Sequence, residues 1–256
     1  LSEVYKYRLV SRGASGYNTL IKTKRRDGYG EYSGLSGLAR RPAADGLTVQ
    51  RGGRPDPGGA ELHQLGGQIL DARTNADVGI LFDWDNWWAL ELCSGPTKDM
   101  DYLLQVAHYY RAFHKQNIAV DIVKFTSDLD SYKVVVAPLA YMVKPGFAER
   151  LTKFVENGGT LIGTYMTGIA DETDRCIFGA YPVFGLWVEE TDALYPEETN
   201  QIIMNENREV YSCSFLCDRL RLENAKTLGT YGSDFYAGEP CVTVNEYGKG
   251  KAYYLG

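Results

Sequence analysis

Two groups of carboxylates are the residues best able to do chemistry in this chain. Asp83 and Asp85 follow the apolar run Val78 to Phe82, and Asp171, Glu172 and Asp174 sit together in the segment IADETDRCIFGAYP. Two carboxyl groups roughly 5 Å apart can serve as acid and nucleophile in retaining glycoside hydrolysis. Spacing in sequence does not set that distance, and the same residues suit a solvated rim or an ion-pair cluster with Arg175. Acids behind a first strand, joined by an Asp behind a third, can hold Mg²⁺ beside a phosphoryl group. Asp83 and Asp85 supply half of that pattern, but the third strand runs out as APLAY, with no acid and no clear lysine. A nucleophile elbow would need Cys or Ser on a tight turn with a histidine at hand. The turn GTYMTG offers Tyr165, Met166 and Thr167 instead, and none of His63, His108 and His114 is placed as its base. Thr164 and Thr167 read as turn or capping residues. Gly158-Gly159 ends a helix rather than opening one, so it makes no phosphate cradle.

The elements that must position these groups are legible from residue 61 onward. Val78-Gly79-Ile80-Leu81-Phe82 has no polar alternation and reads as a strand buried on both faces. Its carboxyl end carries Asp83 and Asp85 together with Trp84, Trp87 and Trp88, three of the four tryptophans. In open α/β sheets that edge gathers ligands and partner surfaces. Three indoles offer more apolar area than one loop can hide, so at least one ring either fills the core or docks on another domain or subunit. ELHQLGGQIL predicts a helix ahead of this strand. Thr97 or Asp99 caps a helix running to Gln116, whose apolar face is Leu103, Val106, Ala107, Tyr110 and Phe113. Strands are expected at 118–123, 133–138 and 160–164, and Pro145 opens a helix that Asn157-Gly158-Gly159 closes. Further strands are expected at 227–231, 241–246 and 251–255, the last pair turned by Gly248-Lys249-Gly250. This order predicts an α/β fold, a flavodoxin-like, doubly wound and mostly parallel sheet of the class I glutamine amidotransferase kind.

Composition bounds the remainder. The chain has 256 residues, 44% hydrophobic and 23% charged, enough for one large domain or two smaller ones. It holds no apolar run of membrane-spanning length and no signal-peptide core near Leu1, so no membrane partner is expected. The absence of an initiator Met suggests a piece of a longer protein. Five cysteines, Cys93, Cys176, Cys213, Cys217 and Cys241, lack metal-site spacing and read as reduced thiols of a cytoplasmic protein. Cys213 and Cys217 could face each other one helical turn apart, a weak zinc case without a second ligand pair. Residues 1–56 carry eleven Lys or Arg against five Asp or Glu, a net of +6, while the remaining residues carry −12. Residues 1–60 are therefore a separate, basic and Gly-rich segment, read as poorly structured. A basic arm can bind nucleic acid, but no RNA- or DNA-binding module accompanies it, so no nucleic-acid partner is expected.

Several ordered blocks bring a family into view: VGILFDWDNWWALE, DMDYLLQVAHYYRAFHKQNIAVDIV, YKVVVAPLAYMV, FVENGGTLIGTYMTGIADETD and FYAGEPCVTVNEYGKGKAYYLG. Together, over about residues 61–256, they resemble the middle, trimerisation domain of glycoside hydrolase family 42 β-galactosidases. The resemblance implies a three-domain enzyme in which a catalytic TIM barrel precedes this domain and a small β domain follows it. It implies a homotrimer with active sites near subunit contacts. The family's catalytic glutamates belong to the barrel, so none is carried onto this chain, and residues 5–20 look like a faint remnant of the barrel's end. There Ser15, Gly16 and Asn18 stand where similar enzymes line the sugar site with a glutamate and a histidine. The expected function is a non-catalytic accessory domain, inactive alone and needing neither cofactor nor metal, of an enzyme that hydrolyses terminal β-D-galactosides. Its expected partners are copies of itself and the catalytic barrel, met through Asp83, Trp84, Asp85, Trp87, Trp88, Asp171, Glu172 and Asp174. The other reading left open is a stand-alone sugar- or nucleotide-binding α/β module using the Asp83 edge; a diverged amidotransferase is disfavoured by the missing nucleophile elbow.

Overall fold

The computed structural model describes residues 5–11, 18–24, 65–66, 74–93, 95–177 and 182–256. The chain divides into two compact units, one of residues 1–10 and 20–74, the other of residues 11–19 and 75–256. Within the expected basic segment, β1 (Tyr5–Ser11) and β2 (Asn18–Lys24) pair as a two-stranded sheet. The rest of residues 1–60 lies outside the described residues. So does most of the helix expected at 61–70, of which Leu65 and Gly66 are described as helical.

From residue 75 onward the first strand of the larger unit is β3 (Val78–Phe82), buried at every position as its unbroken apolar run requires. Then come α1 (Trp84–Leu92), α2 (Tyr102–His114), β4 (Val120–Lys124), β5 (Val134–Ala137) and β6 (Met142–Val143). α3 (Phe147–Glu156), β7 (Thr160–Thr164) and β8 (Ala170–Asp171) follow, and a short 3₁₀ turn (Pro182–Phe184) precedes a long run of strands. These are β9 (Leu186–Ala193), β10 (Asn200–Met204), β11 (Val210–Cys213), β12 (Leu216–Leu222), β13 (Lys226–Tyr231), β14 (Pro240–Tyr247) and β15 (Gly250–Leu255).

Local chemistry sets the helix ends. The Asp101 carboxylate, rather than Thr97 or Asp99, caps α2 by accepting from the Leu104 amide at 3.0 Å. Thr97 instead accepts from the Asp99 amide at 3.2 Å, shaping the approach to the helix. α3 starts after Pro145 at Gly146, which holds a left-handed φ of 73°. It stops where Gly158, at φ 113°, lets the Gly159 amide reach back to the Phe154 carbonyl at 3.0 Å.

The central sheet has nine strands in the order β11-β10-β13-β14-β15-β7-β5-β3-β4. β4, β3, β5, β7 and β15 run parallel, with Leu161 opposite Val135 on one side and Ala252 on the other. β14, β13, β10 and β11 continue it antiparallel. One face packs Leu81, Val135, Leu161, Ala252 and Tyr254 against Phe147, Leu151, Phe154 and Val155 of α3.

The flavodoxin-like, doubly wound and mostly parallel sheet expected from the sequence is corrected by this topology. The sheet is mixed, and the described residues hold fifteen strands against three α-helices. The reason lies between β7 and β15, where the chain returns to the parallel block without a crossover helix. It runs through antiparallel strands, two of which, β9 and β12, pair as a separate ribbon from Leu186↔Leu222 to Ala193↔Leu216. That ribbon turns Leu186, Val188, Leu220 and Leu222 onto the core shared with α3. Cys213 and Cys217 also depart from the expected helical turn: they lie on β11 and β12, where Cys217 joins a second apolar cluster with Tyr231, Tyr236, Cys241 and Val242 and Cys213 packs against it.

The final hairpin is tight against the end of α3. A Cβ on Gly250 would overlap the carbonyl oxygens of Gly159 and Val155, which are backbone atoms that cannot swing aside. Gly250→Ala is therefore expected to lower stability by about 1–3 kcal/mol, the usual range for overpacking. Chemical denaturation of the variant checks this, and an unchanged midpoint would refute the close approach.

Candidate assembly surface at the carboxyl edge of the parallel strands

Asp83 has two structural tasks. Its carboxylate caps α1, accepting from the amides of Asp85 at 3.0 Å and Asn86 at 3.1 Å. It also takes an ion pair from Lys144 at 2.7 Å, and the same ammonium reaches Asp85 at 2.6 Å. Burial works against the Lys144 charge, but hydrogen bonds and attraction from both carboxylates outweigh it and raise its pKa. Two negative charges at the strand end thus share one partly buried cation.

Asn86, one position further, is fully buried and joins α1 to the loop after β5. Its amide nitrogen donates to the Leu139 carbonyl at 3.0 Å and its oxygen accepts from the Met142 amide at 2.9 Å. Leu139 holds a φ of 42°, and its own amide donates to the Thr164 hydroxyl at 2.8 Å. The loops after β5 and β7 are then stitched by β6 and β8, with Met142 opposite Ala170 and Val143 opposite Asp171. Lys144 follows Val143 directly, so the Asp83 and Asp171 groups share one platform.

The Asp171 carboxylate closes its own turn. It accepts from the Thr173 hydroxyl at 2.6 Å, the Thr173 amide at 2.9 Å and the Arg175 amide at 3.2 Å, and meets the Arg175 guanidinium at 3.2 Å. The Thr173 hydroxyl contributes most to holding its pKa down to about 2. Asp174, at φ 61°, accepts from the Tyr141 hydroxyl at 2.9 Å. Glu172 is exposed. Asp83, Asp85, Asp171 and Asp174 are therefore committed to capping, ion pairing and turn closure. Among the described residues no cluster of three or more His, Cys, Asp or Glu side chains could hold a metal ion.

The three tryptophans divide in their exposure. Tyr102 stacks on Phe82 at 5.4 Å, Phe82 meets Trp84 edge-on at 5.4 Å, and Trp84 lies 5.2 Å from Trp87 and 6.2 Å from Trp88. Trp84 and Trp87 are half-buried in this ladder, whereas Trp88 is 52% exposed and Leu92, one helical turn on, is 85% exposed. Trp84, Trp88 and Leu92 recur at four-residue steps, so they form one apolar stripe along α1.

Sequence reasoning missed Lys144, Tyr141 and Asn86, which hold the two acidic groups in place. Lys144 had a signal, since a lysine just past a strand end can answer acids past the neighbouring one. Asn86 had none, because burial of one amide in an aromatic helix follows from the tertiary fold.

This is a mostly β domain built on a mixed nine-stranded sheet, whose strand-end loops are braced by polar side chains while one helix keeps an uncovered apolar stripe. The chain belongs to the β-galactosidase trimerisation domain family, whose model matches residues 76–256. It is 51% identical over 206 residues to β-galactosidase BgaP of Planococcus sp. (strain L4), covering 77% of this chain and 30% of that protein. It is 46% identical over 208 residues to β-galactosidase BgaB of a Geobacillus species, with the same coverage. Among solved structures, the β-galactosidase of Bacillus circulans sp. alkalophilus superposes with a TM-score of 0.73 at 48% identity, over 77% of this chain and 30% of that one. The β-galactosidase of Rahnella sp. R3 gives 0.71 at 42% identity, over 77% and 32%. The chain thus spans about a third of the length of the relatives it matches.

Proposed function

We propose that residues 76–256 form the non-catalytic assembly domain of a homotrimeric β-galactosidase that hydrolyses terminal β-D-galactosides. The α1 stripe of Trp84, Trp88 and Leu92 meets a catalytic barrel or a neighbouring subunit, with Trp87 supporting it from within. The loop of Asp171, Glu172 and Asp174, and the Asp83 and Asp85 pair beside it, form the polar rim of that contact. The observation that carries this reading is the exposure of Trp88 and Leu92 at one-turn spacing, on a helix whose opposite side is locked down by Asn86, Ala89 and Leu90. Family membership and the β-galactosidase relatives support the assembly role. Asp83 is tied up by the α1 cap and both Asp83 and Asp85 are engaged by Lys144, so few of their oxygens are free for a separate ligand, which weighs against the stand-alone binding module. The free thiols fit a cytoplasmic setting, and no helix among the described residues is long and apolar enough to cross a membrane.

Size-exclusion chromatography with light scattering on the purified chain, with a chromogenic β-galactoside assayed on the same fractions, tests the reading. A trimer without hydrolysis is expected. Trp88→Ser combined with Leu92→Ser should weaken association by about 30-fold or more, as loss of an interface anchor does, and leave the melting of the separated chain unchanged. A trimer untouched by the double substitution would remove α1 from the interface. Hydrolysis co-eluting with the peak would overturn the non-catalytic assignment.

A further inference from the structure

The ribbon of β9 and β12 has a second face, independent of the assembly surface. Its inner side chains fill the core, while Trp187 and Glu189 of β9 project outward beside Arg221 of β12, with Trp187 opposite Arg221 in register. Glu223 follows β12 directly. Trp187, Glu189, Arg221 and Glu223, with Val188 and Leu222 beneath, line an open recess of about 540 Å³. That volume lies inside the range of about 300–1,000 Å³ found for small-ligand sites.

Trp187 is 43% exposed on this face, beside the charged Glu189, Arg221 and Glu223. Its ring N–H is donated to the Glu223 carboxylate, which fixes the ring at the recess. Arg221 and Glu189 approach each other only to 3.8 Å, with 75% and 50% of their side chains exposed. A loose, solvated pair of this kind is worth little by itself, and it keeps both donors and acceptors open to a ligand. The recess therefore offers one flat apolar platform edged by a guanidinium and two carboxylates.

Charge decides the class of occupant. Two carboxylates against one guanidinium repel phosphates, nucleotides and acidic sugars. A wholly apolar ligand, or the apolar face of a protein, would strip water from three charged groups without replacing their hydrogen bonds. A neutral pyranoside meets both demands, because its C–H face covers the indole while its hydroxyls donate to Glu189 and accept from Arg221. We propose that the outer face of the β9–β12 ribbon is a binding site for a neutral pyranoside, with Trp187 as the stacking platform and Glu189 and Arg221 as the polar contacts. Because the recess is open, binding is expected in the millimolar range.

The test is a titration of the ¹⁵N-labelled chain with lactose, following the four tryptophan indole N–H signals. The signal that disappears in Trp187→Phe should shift saturably, while those of Trp84, Trp87 and Trp88 stay in place. Arg221→Gln with Glu189→Gln retains that reporter and should weaken lactose binding by about fivefold or more, the effect of losing one net hydrogen bond or so. Glucuronate should bind more weakly than lactose to the unaltered chain. An absent or non-saturating shift, or lactose binding unchanged in the double variant, would overturn the site. Glucuronate binding as well as lactose would overturn the neutral-ligand assignment.

Discussion

Replacing Asp218 with alanine is expected to destabilise the domain by about 3–5 kcal/mol, the range for breaking a buried polar network. Asp218 is fully buried on β12, and its carboxylate joins three parts of the chain that are remote in sequence. One oxygen accepts from the Thr191 hydroxyl of β9 at 2.6 Å. The other accepts from the Tyr254 hydroxyl of β15 at 2.7 Å and the Met166 amide, beyond β7, at 3.3 Å. Alanine would strand these donors away from water, and each buried orphan costs about 1–3 kcal/mol. Denaturant unfolding measures the loss, and a cost below about 1 kcal/mol would mean that water replaces the carboxylate.

The same residue makes stability depend on pH in a direction opposite to most surface acids. Burial raises the Asp218 pKa above its ordinary value of 3.8, although hydrogen bonds from Thr191, Tyr254 and Met166 favour the charged form. The folded state then holds its proton more tightly than the unfolded chain does. That contribution is fully present below the ordinary value and is lost as pH rises through the elevated one. Asp218→Asn, neutral at every pH, lacks the term. Its stability relative to the parent should therefore improve as pH is raised from about 4 toward neutrality. A difference that stays flat over that interval would show that Asp218 ionises as easily in the fold as outside it.

Where a physical signal was local, the sequence displayed it. The apolar run at 78–82 coincides with β3, because burial on both faces leaves an unbroken hydrophobic stretch, and the strand expected at 160–164 coincides with β7. The helix opening at Pro145 and its glycine stop were also legible, since φ restrictions act over two or three residues. α1 was not: WDNWWALEL reads as a crowded loop, and becomes a helix through the Asp83 cap and the aromatic ladder built on Phe82 and Tyr102. The β9–β12 ribbon places core-facing aliphatics at every second position, Leu186 and Val188 on β9 and Leu220 and Leu222 on β12, a usable strand pattern. Its pairing across some thirty residues was beyond local reasoning, and so was the antiparallel run of β13, β10 and β11 that makes the central sheet mixed. Of the candidate surface, the acids and tryptophans were visible by type. Their division into braced and exposed groups depends on Lys144, Asn86 and Tyr141, which the fold brings in from other segments.

Asn86→Ala tests that bracing directly and is expected to cost about 2–4 kcal/mol, from two buried backbone groups left without partners. The Leu139 carbonyl and the Met142 amide both depend on the Asn86 amide group. Leu139 also sits at a φ of 42°, a strained value for a branched side chain, held from one side by Asn86 and from the other by Thr164. Releasing one side should let the β5–β6 loop relax and carry Lys144 away from Asp83 and Asp85, so that the rim of the assembly surface loosens along with the core. Asn86→Asp separates the two contacts: its oxygen still accepts from Met142, but it has no donor for Leu139 and adds a charge beside Asp83 and Asp85. The acid is therefore expected to be at least as damaging as alanine. Hydrogen exchange at the Met142 amide, measured beside global unfolding, reports both effects. Fast exchange with an unchanged global midpoint would confine Asn86 to the loop, whereas loss of both would show that α1 and the strand-end platform stand or fall together.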